Sequence, residues 1–357
     1  MGYISQYPES ALLYVGIMLL CVMLAIIASK EKRKASTYVI AIIVILSVFE
    51  GLRGESVGID VSHYIIRHIE PIREGAFAKV NQPIGFKIIV WISYLISSKT
   101  STVFLLFAFI TNGLIVLRLW DFRHKASFPF MVFFYYCFHY LITFNVFRQY
   151  IAIAIVFYVS RYIDEKKYLK YGIGVIVATL IHSTSVLGFL LIPIDILTSD
   201  ENVKQWRLRY RIIFASPILI FLVVGLFFNF DYEHYIDLFK NYGSGSLGSM
   251  TLVKIAIAIG IFVCMYKNKK NNQEIKKIFT TYCIGLFISL LVAVAIFADR
   301  FAWYYLIWEP VFMSYNLKRR DNKILVRGVY VLLALYTLYL NLSVSGQGIM
   351  PYISVFH

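Results

Sequence analysis

Apolar runs long enough to cross a bilayer recur along the whole of this 357-residue chain, and short basic clusters separate them. A hydrocarbon core of about 30 Å offers no partner to a loose N–H or C=O, so each run must satisfy its backbone internally. The runs are continuous and lack the strict alternation of barrel strands, which makes helices of them. The expected fold class is therefore all-α, a polytopic membrane helical bundle forming a single integral membrane domain over 1–357. Composition agrees: 59% of residues are hydrophobic and 17% aromatic.

A net charge of +15 would point to nucleic acid in a soluble chain. Here 25 of the 35 lysines and arginines fall in six clusters, at 30–34, 118–125, 161–170, 204–211, 267–277 and 318–327. Basic clusters between spans follow the positive-inside rule, so they are expected on the cytoplasmic side and argue against a nucleic-acid partner.

The first run, 11–29, is followed rather than preceded by a basic cluster, the reverse of a signal peptide, and reads as an anchor with its N-terminus outside. Further spans are expected at 37–52, 102–117, 127–143, 146–160, 169–182, 184–198, 212–229, 250–266, 278–297, 301–317 and 326–342, about 12 in all. The run 84–98 is short and carries Lys87, and if it spanned it would move the cluster at 118–125 outside. It reads as a re-entrant or interfacial helix. Two hydrophilic outer loops then remain, 51–83 and 230–249. Cys21, Cys137, Cys264 and Cys283 fall inside expected spans and read as packing groups, and with neither CxxC nor HExxH present no metal and no cofactor is expected.

Against this apolar background Arg53, Asp60, Arg148, His182 and Arg300 stand out, because the charge-based topology places all five at outer span ends. Ionisable groups gathered on one face of a membrane protein point to a polar site there. GLRGESVGIDVSHY at 51–64 has three glycines, whose backbone N–H groups can be presented to a ligand, bracketed by Arg53 and Asp60. The same residues also read as an Arg–Asp pair that fixes a loop. The 34 residues from 127 to 160 are too many for one span, so the chain is expected to turn at the polar break of Asn145, Arg148 and Gln149. Arg148 then opens a helix, where a guanidinium joins the positive end of the helix dipole, a phosphate-binding arrangement; snorkelling to lipid headgroups is the plainer alternative.

His182 lies in ATLIHSTSVLGF between two expected antiparallel spans, with Ser183, Thr184 and Ser185 able to cap a helix. It reads either as a base or as a structural histidine. Arg300 sits in FADRFAWYYLIWEP beside Asp299, followed by Trp303, Tyr304, Tyr305 and Trp308, which form an interfacial belt or stack on sugar rings. Gln347, Tyr352 and His357 fall on the same side. Arg53, Arg148, His182 and Arg300 are expected to converge on one outward cavity.

Taken in order, R-x-x-x-V-G-x-D-x-x-x-Y at 53–64, FRQYIAIAI at 147–155, LIHSTSVLGFLL at 180–191, DRFAWYY at 299–305 and PY at 351–352 resemble the EpsG branch of Wzy-type polysaccharide polymerases over nearly the whole chain. The sequence departs from that pattern at Ile59, often Thr in the family, and at Val61, where an aromatic residue is common. The resemblance implies a glycosyltransferase at the outer face of the cytoplasmic (inner) membrane, its active site facing the periplasm or exterior. It would transfer a growing glycan from undecaprenyl pyrophosphate to a sugar hydroxyl of another lipid-linked repeat unit, as in O-antigen or capsule synthesis, without metal. It implies lipid-linked oligosaccharide donor and acceptor, membrane lipid, a chain-length regulator and a flippase as partners. His182 and Asp60 become candidate bases, Arg53, Arg148 and Arg300 pyrophosphate ligands, and Tyr64, Gln149, Asp299 and Tyr304 substrate contacts. Two alternatives stay open. One is a glycan ligase of the related family; the other is a flippase or transporter of the same lipid, although neither inverted repeats nor charges near span centres stand out.

Overall fold

The computed structural model describes residues 2–31, 33–198, 252–255, 273–291, 298–318, 323–344 and 347–356. The expected span at 212–229, the loop 230–249, most of the span at 250–266, Cys264 and His357 lie outside the described residues. Every regular element among the described residues is helical. Among the described residues one isolated bridge joins Arg53 to Ser354.

Three described helices are long and apolar enough to cross a membrane, Pro8–Lys30, Thr100–His124 and Arg327–Val344, and the shorter apolar helices run from 10 to 17 residues. Large apolar side chains remain exposed on these helices, Leu12 at 71%, Leu169 at 80% and Leu332 at 68% among them. Such faces suit acyl chains rather than water. The helix Ile84–Ile96 has 13 residues, a rise of about 20 Å that falls short of a hydrocarbon core.

The chain divides into two compact units, Met1–Tyr158 with Val177–Ser183 and Met313–His357, and Val159–Ile176 with Thr184–Phe312. In the first, Ala35–Gly51 packs along Thr100–Asp121. Gly51 permits this approach, since a Cβ there would lie 2.6 Å from Leu105 Cα. Phe128–Thr143 ends at the polar break, and Phe147–Val159 restarts with Arg148 as its second residue, as the length argument requires.

The outer loop 51–83 is less loop-like than its charges suggest. Val61–Tyr64, a π-turn at Ile65–Ile69 and Glu70–Arg73 follow one another without a break. Val61, Ile65, Ile69 and Ile72 are buried with Phe86, Val90, Phe104, Phe107 and Ile151. The signal was present in the sequence, because three- and four-residue apolar spacing marks one face of a helix.

The C-terminal segment runs antiparallel to the start of this loop. Gly54 N–H donates to Ile353 O (2.7 Å), Val355 N–H to Leu52 O (2.9 Å) and Gly58 N–H to Gly348 O (2.8 Å). Gly58 adopts φ +113°, and a Cβ there would meet Phe144 O at 2.9 Å. The loop N–H groups expected to face a ligand are thus largely taken up by the chain's own tail.

In the second unit, Tyr171 donates to Gly188 O (2.6 Å), and Lys166 and Tyr168 both bind Asp195, at 2.6 and 2.9 Å. These contacts fold Leu191–Thr198 back along the start of Tyr168–Thr179. Gln273–Leu290 packs on Ala298–Leu306, with Gly285 giving room to Leu306. The expected span 301–317 is interrupted at 307–308, and Glu309–Lys318 begins anew. Pro310 explains the restart, since proline is accepted in a first helical turn but not in a helix interior.

Candidate functional site

A polar cluster in the first unit forms around Arg148. Its guanidinium lies 5.3 Å from the Tyr64 ring centre and 5.7 Å from that of Phe86, and Nη2 is 3.4 Å from the Tyr64 hydroxyl. That contact is longer than an ordinary N–H···O bond. Nε is buried and has no partner. The Tyr64 ring stands 5.5 Å from His68, and His68 Nε2 is 3.1 Å from Gln82 Nε2. Burial pushes the His68 imidazole down to about 4, helped by the charges of Arg148 and His63. Below neutrality the group thus stays uncharged in a positive field, a setting suited to an anion.

Asn145 ties Asp60 to the same turn. Asp60 N–H donates to Asn145 Oδ1 (2.8 Å), and Asn145 Nδ2 donates to Gln347 Oε1 (3.2 Å). One asparagine at the polar break therefore ties the Asp60 backbone to the C-terminal segment. His182 arrives from another direction. Its N–H closes the end of the preceding helix on Ala178 O (2.9 Å), while Leu180 O accepts Gly85 N–H at 2.7 Å. A Cβ at Gly85 would lie 2.8 Å from Leu180 O, so glycine is what lets this segment dock beside Phe86, the residue under Arg148. The imidazole itself is half-buried.

Arg53 has different surroundings. It is fully buried at 0% exposure, with its guanidinium 4.4 Å from the Phe104 ring, 5.4 Å from Phe144 and 6.0 Å from Phe147. Nη1 donates to Glu50 O (2.6 Å), whereas Nε and Nη2 have no partner. The Glu50 carboxylate instead accepts from Asn112 (2.8 Å), whose amide oxygen accepts from Tyr135 (2.9 Å). Tyr352 stacks on Phe49 (4.4 Å) and donates to Phe49 O (2.9 Å); burial pushes its hydroxyl up to about 12 although the Arg53 charge pulls the other way. The cavity that Arg53 lines includes neither Arg148 nor His182. Phe147 packs near both arginines, through Arg53 on the one hand and Tyr64 on the other (5.4 Å).

Within the second unit Arg300 is exposed and Asp299 half-buried. Burial raises the Asp299 carboxyl above its usual range, with Ser289 and the Lys254 charge pulling it back. Tyr304 is 1% exposed, its hydroxyl shared with Thr184 (3.1 Å) and Ser185 (2.9 Å). The two hydroxyls read as helix caps thus meet a tyrosine. Gln149, in the first unit, is 1% exposed. A buried ion pair that sequence reasoning missed joins Glu309 to Lys254 (2.9 Å), with Tyr282 donating at 3.2 Å. Glu309 falls in the middle of the expected 301–317 span but stands at the first position of the helix that restarts there. Glu50 and Asn112 were missed in the same way, as isolated polar letters inside apolar runs. Among the described residues no three His, Cys, Asp or Glu side chains gather as metal ligands.

The model of the EpsG family matches residues 36–354, nearly the whole chain. The chain belongs to that family, which is the Wzy-type polymerase family. No curated protein and no solved structure matches it.

Proposed function

We propose that this membrane protein is a polysaccharide polymerase that moves a growing glycan from undecaprenyl pyrophosphate onto a sugar hydroxyl of a second lipid-linked repeat unit at the outer face of the cytoplasmic membrane. The observation that carries the reading is Arg148, at the start of a helix with a buried Nε donor still open, beside a histidine that burial, helped by the arginine's charge, holds neutral. That is a preorganised site for negative charge that develops on a leaving pyrophosphate.

In this reaction the acceptor hydroxyl oxygen attacks the donor's anomeric carbon, the bond from that carbon to the pyrophosphate oxygen breaks, and the hydroxyl proton passes to a base. Pyrophosphate departs as a stabilised anion, so the chain's task is to orient it and hold its charge. His182 and Asp60 are the two candidate bases, the first two residues beyond the Leu180 O that accepts Gly85 N–H and the second held through its backbone N–H by Asn145. Tyr64 and Gln149 are proposed substrate contacts. Arg53 is proposed as a further phosphate ligand. For the second unit the same reading proposes pyrophosphate binding by Arg300 and substrate contact by Asp299 and Tyr304.

The test is purified protein in nanodiscs with a lipid-linked repeat unit, the products sized by gel. A ladder of multiples of the repeat is expected. A single transfer of preformed polymer to a different acceptor would indicate a ligase instead, and movement of the lipid between leaflets without new glycosidic bonds would indicate a flippase.

A further inference from the structure

We infer that the outer part of the C-terminal segment, 351–356, is a lid over Arg53, anchored through 347–350, and that it must lift before the open donors of the arginine can be reached. The inference concerns access to Arg53 alone, so it does not rest on the polymerase reading.

Arg53 is enclosed and incompletely bonded at the same time. It is 0% exposed, Nη1 donates to Glu50 O, and among the described residues Nε and Nη2 have no acceptor. The Glu50 carboxylate, three positions earlier, is taken by Asn112 (2.8 Å). A buried donor left without an acceptor costs the desolvation of that group. Any movement that admits water or an acceptor to these two nitrogens removes that cost, so the closed arrangement is destabilised at this side chain.

The C-terminal segment lies directly across it. Arg53 faces Ser354 in the antiparallel bridge, which Gly54 N–H to Ile353 O (2.7 Å) and Val355 N–H to Leu52 O (2.9 Å) close on either side. The segment is held unequally along its length. Ile349 and Met350 are buried, Tyr14 donates to Ile349 O (2.9 Å), and Gln347 O and Gly348 O accept from Ile59 and Gly58. Beyond this anchor Ile353, Val355 and Phe356 are exposed, the last at 78%. There the hydrogen bonds to the rest of the chain, among the described residues, are the two of the bridge and two from Tyr352, whose N–H donates to Ser10 Oγ (3.1 Å) and whose hydroxyl donates to Phe49 O (2.9 Å). Tyr352, also stacked on Phe49 at 4.4 Å, is therefore the latch.

A segment with few buried apolar contacts and exposed backbone bonds opens at the low end of a protein's range of local stabilities. Water can replace the two bridge bonds once they break. Beside the bridge lies a cavity of about 580 Å³ whose lining includes Leu52, Arg53, Val355 and Phe356. Lifting 351–356 thus joins the guanidinium to space that is already open, while 347–350 stay in place.

The experiment follows Arg53 with a water-soluble, arginine-selective dicarbonyl reagent on the full chain in phosphatidylcholine nanodiscs, each arginine read by peptide mass spectrometry. Arg53 should react slowly, through lid opening, and the exposed Arg67 fast. Leu52→Cys with Val355→Cys places thiols at opposed positions of the bridge, whose spacing of about 5.5 Å between Cα atoms suits a disulfide. Oxidising that pair should slow Arg53 at least about 10-fold with Arg67 unchanged, and reductant should restore it. Tyr352→Phe needs no cross-link. It keeps the ring on Phe49, loses the hydroxyl bond, and should speed Arg53 modification about 3-fold or more. Equal Arg53 rates in the oxidised and reduced pair, a wild-type rate in Tyr352→Phe, or no reaction of Arg53 in the wild type once Arg67 is fully modified, overturns the lid. Modification is read without turnover, so a failure of polymer synthesis leaves the result standing.

Discussion

Replacing Arg148 separates anion stabilisation from packing most cleanly. In the resting structure this side chain does little for the fold: one long contact of 3.4 Å to Tyr64 and two rings at 5.3 and 5.7 Å. A cation over an aromatic ring contributes about 0.5–1 kcal/mol at a partly exposed site. Two such contacts give about 1–2 kcal/mol, within what a membrane-inserted protein tolerates. The loss to the reaction is larger. Removing one preorganised donor to developing negative charge typically lowers the rate about 100-fold or more, equivalent to about 2.7 kcal/mol of barrier. Arg148→Ala should therefore accumulate at a near-native level in the membrane while polymer synthesis falls at least about 100-fold. Arg148→Lys keeps the charge but loses the planar fork that lies against Tyr64 and Phe86, so it should recover only part of the rate. The assay is initial-rate incorporation of labelled repeat unit, normalised to folded protein by gel filtration. Full-length polymer made at a near-native rate by Arg148→Ala would show that this arginine does not hold the leaving group.

His182→Gln retains hydrogen-bonding capacity without a proton acceptor, so donor binding should persist while polymerisation slows about 100-fold to 10,000-fold; a near-native rate would leave Asp60 as the better base. His68, held at about 4, should gain a proton when an anion binds beside it, because negative charge favours the imidazolium. Pyrophosphate affinity should then rise as pH falls from 7 to 5 more steeply in the wild type than in His68→Gln, and equal slopes would place the anion elsewhere. For topology, a cysteine introduced at Glu55 should react with an impermeant thiol reagent from outside and one at Lys167 should not. The reverse pattern would move the Arg148 cluster to the cytoplasmic face.

How much of this was legible depended on whether a feature is local or requires a distant partner. Helices such as Pro8–Lys30 and Ala35–Gly51 appear where continuous apolar runs place them, because backbone satisfaction in lipid leaves no other choice. The turn before Arg148 was legible for the same reason, since Asn145 and Gln149 interrupt a run already too long for one span. The helix at 61–73 was obscured by its charges. Arg67, His68, Glu70, Arg73 and Glu74 dominate the reading, although the buried face needs only Val61, Ile65, Ile69 and Ile72. Glu50, Asn112 and Tyr135 lie up to 85 positions apart and acquire meaning only when packing brings them within hydrogen-bond range. No spacing rule could join them.

The C-terminal segment has the same origin and the larger consequence for the site. A glycine-rich loop was expected to offer its N–H groups to a ligand, yet the donors of Gly54, Gly58 and Ile59 go to Ile353, Gly348 and Gln347. Backbone donors consumed in this way cannot bind phosphate, which leaves anion recognition in the first unit to side chains and helix ends. Both features that remain open fit that division. Arg148 begins a helix with Nε free, and Arg53 lies buried beside a helix N-terminus with two donors free. The tail thus organises the loop without taking up these arginine donors. Its attachments, through Tyr14 to Ile349 O (2.9 Å), Ser10 to Tyr352 N–H (3.1 Å) and Tyr352 to Phe49 O (2.9 Å), hold the last residues against the first two long helices. Residues more than 300 positions apart therefore fix the walls within which Arg53 is enclosed.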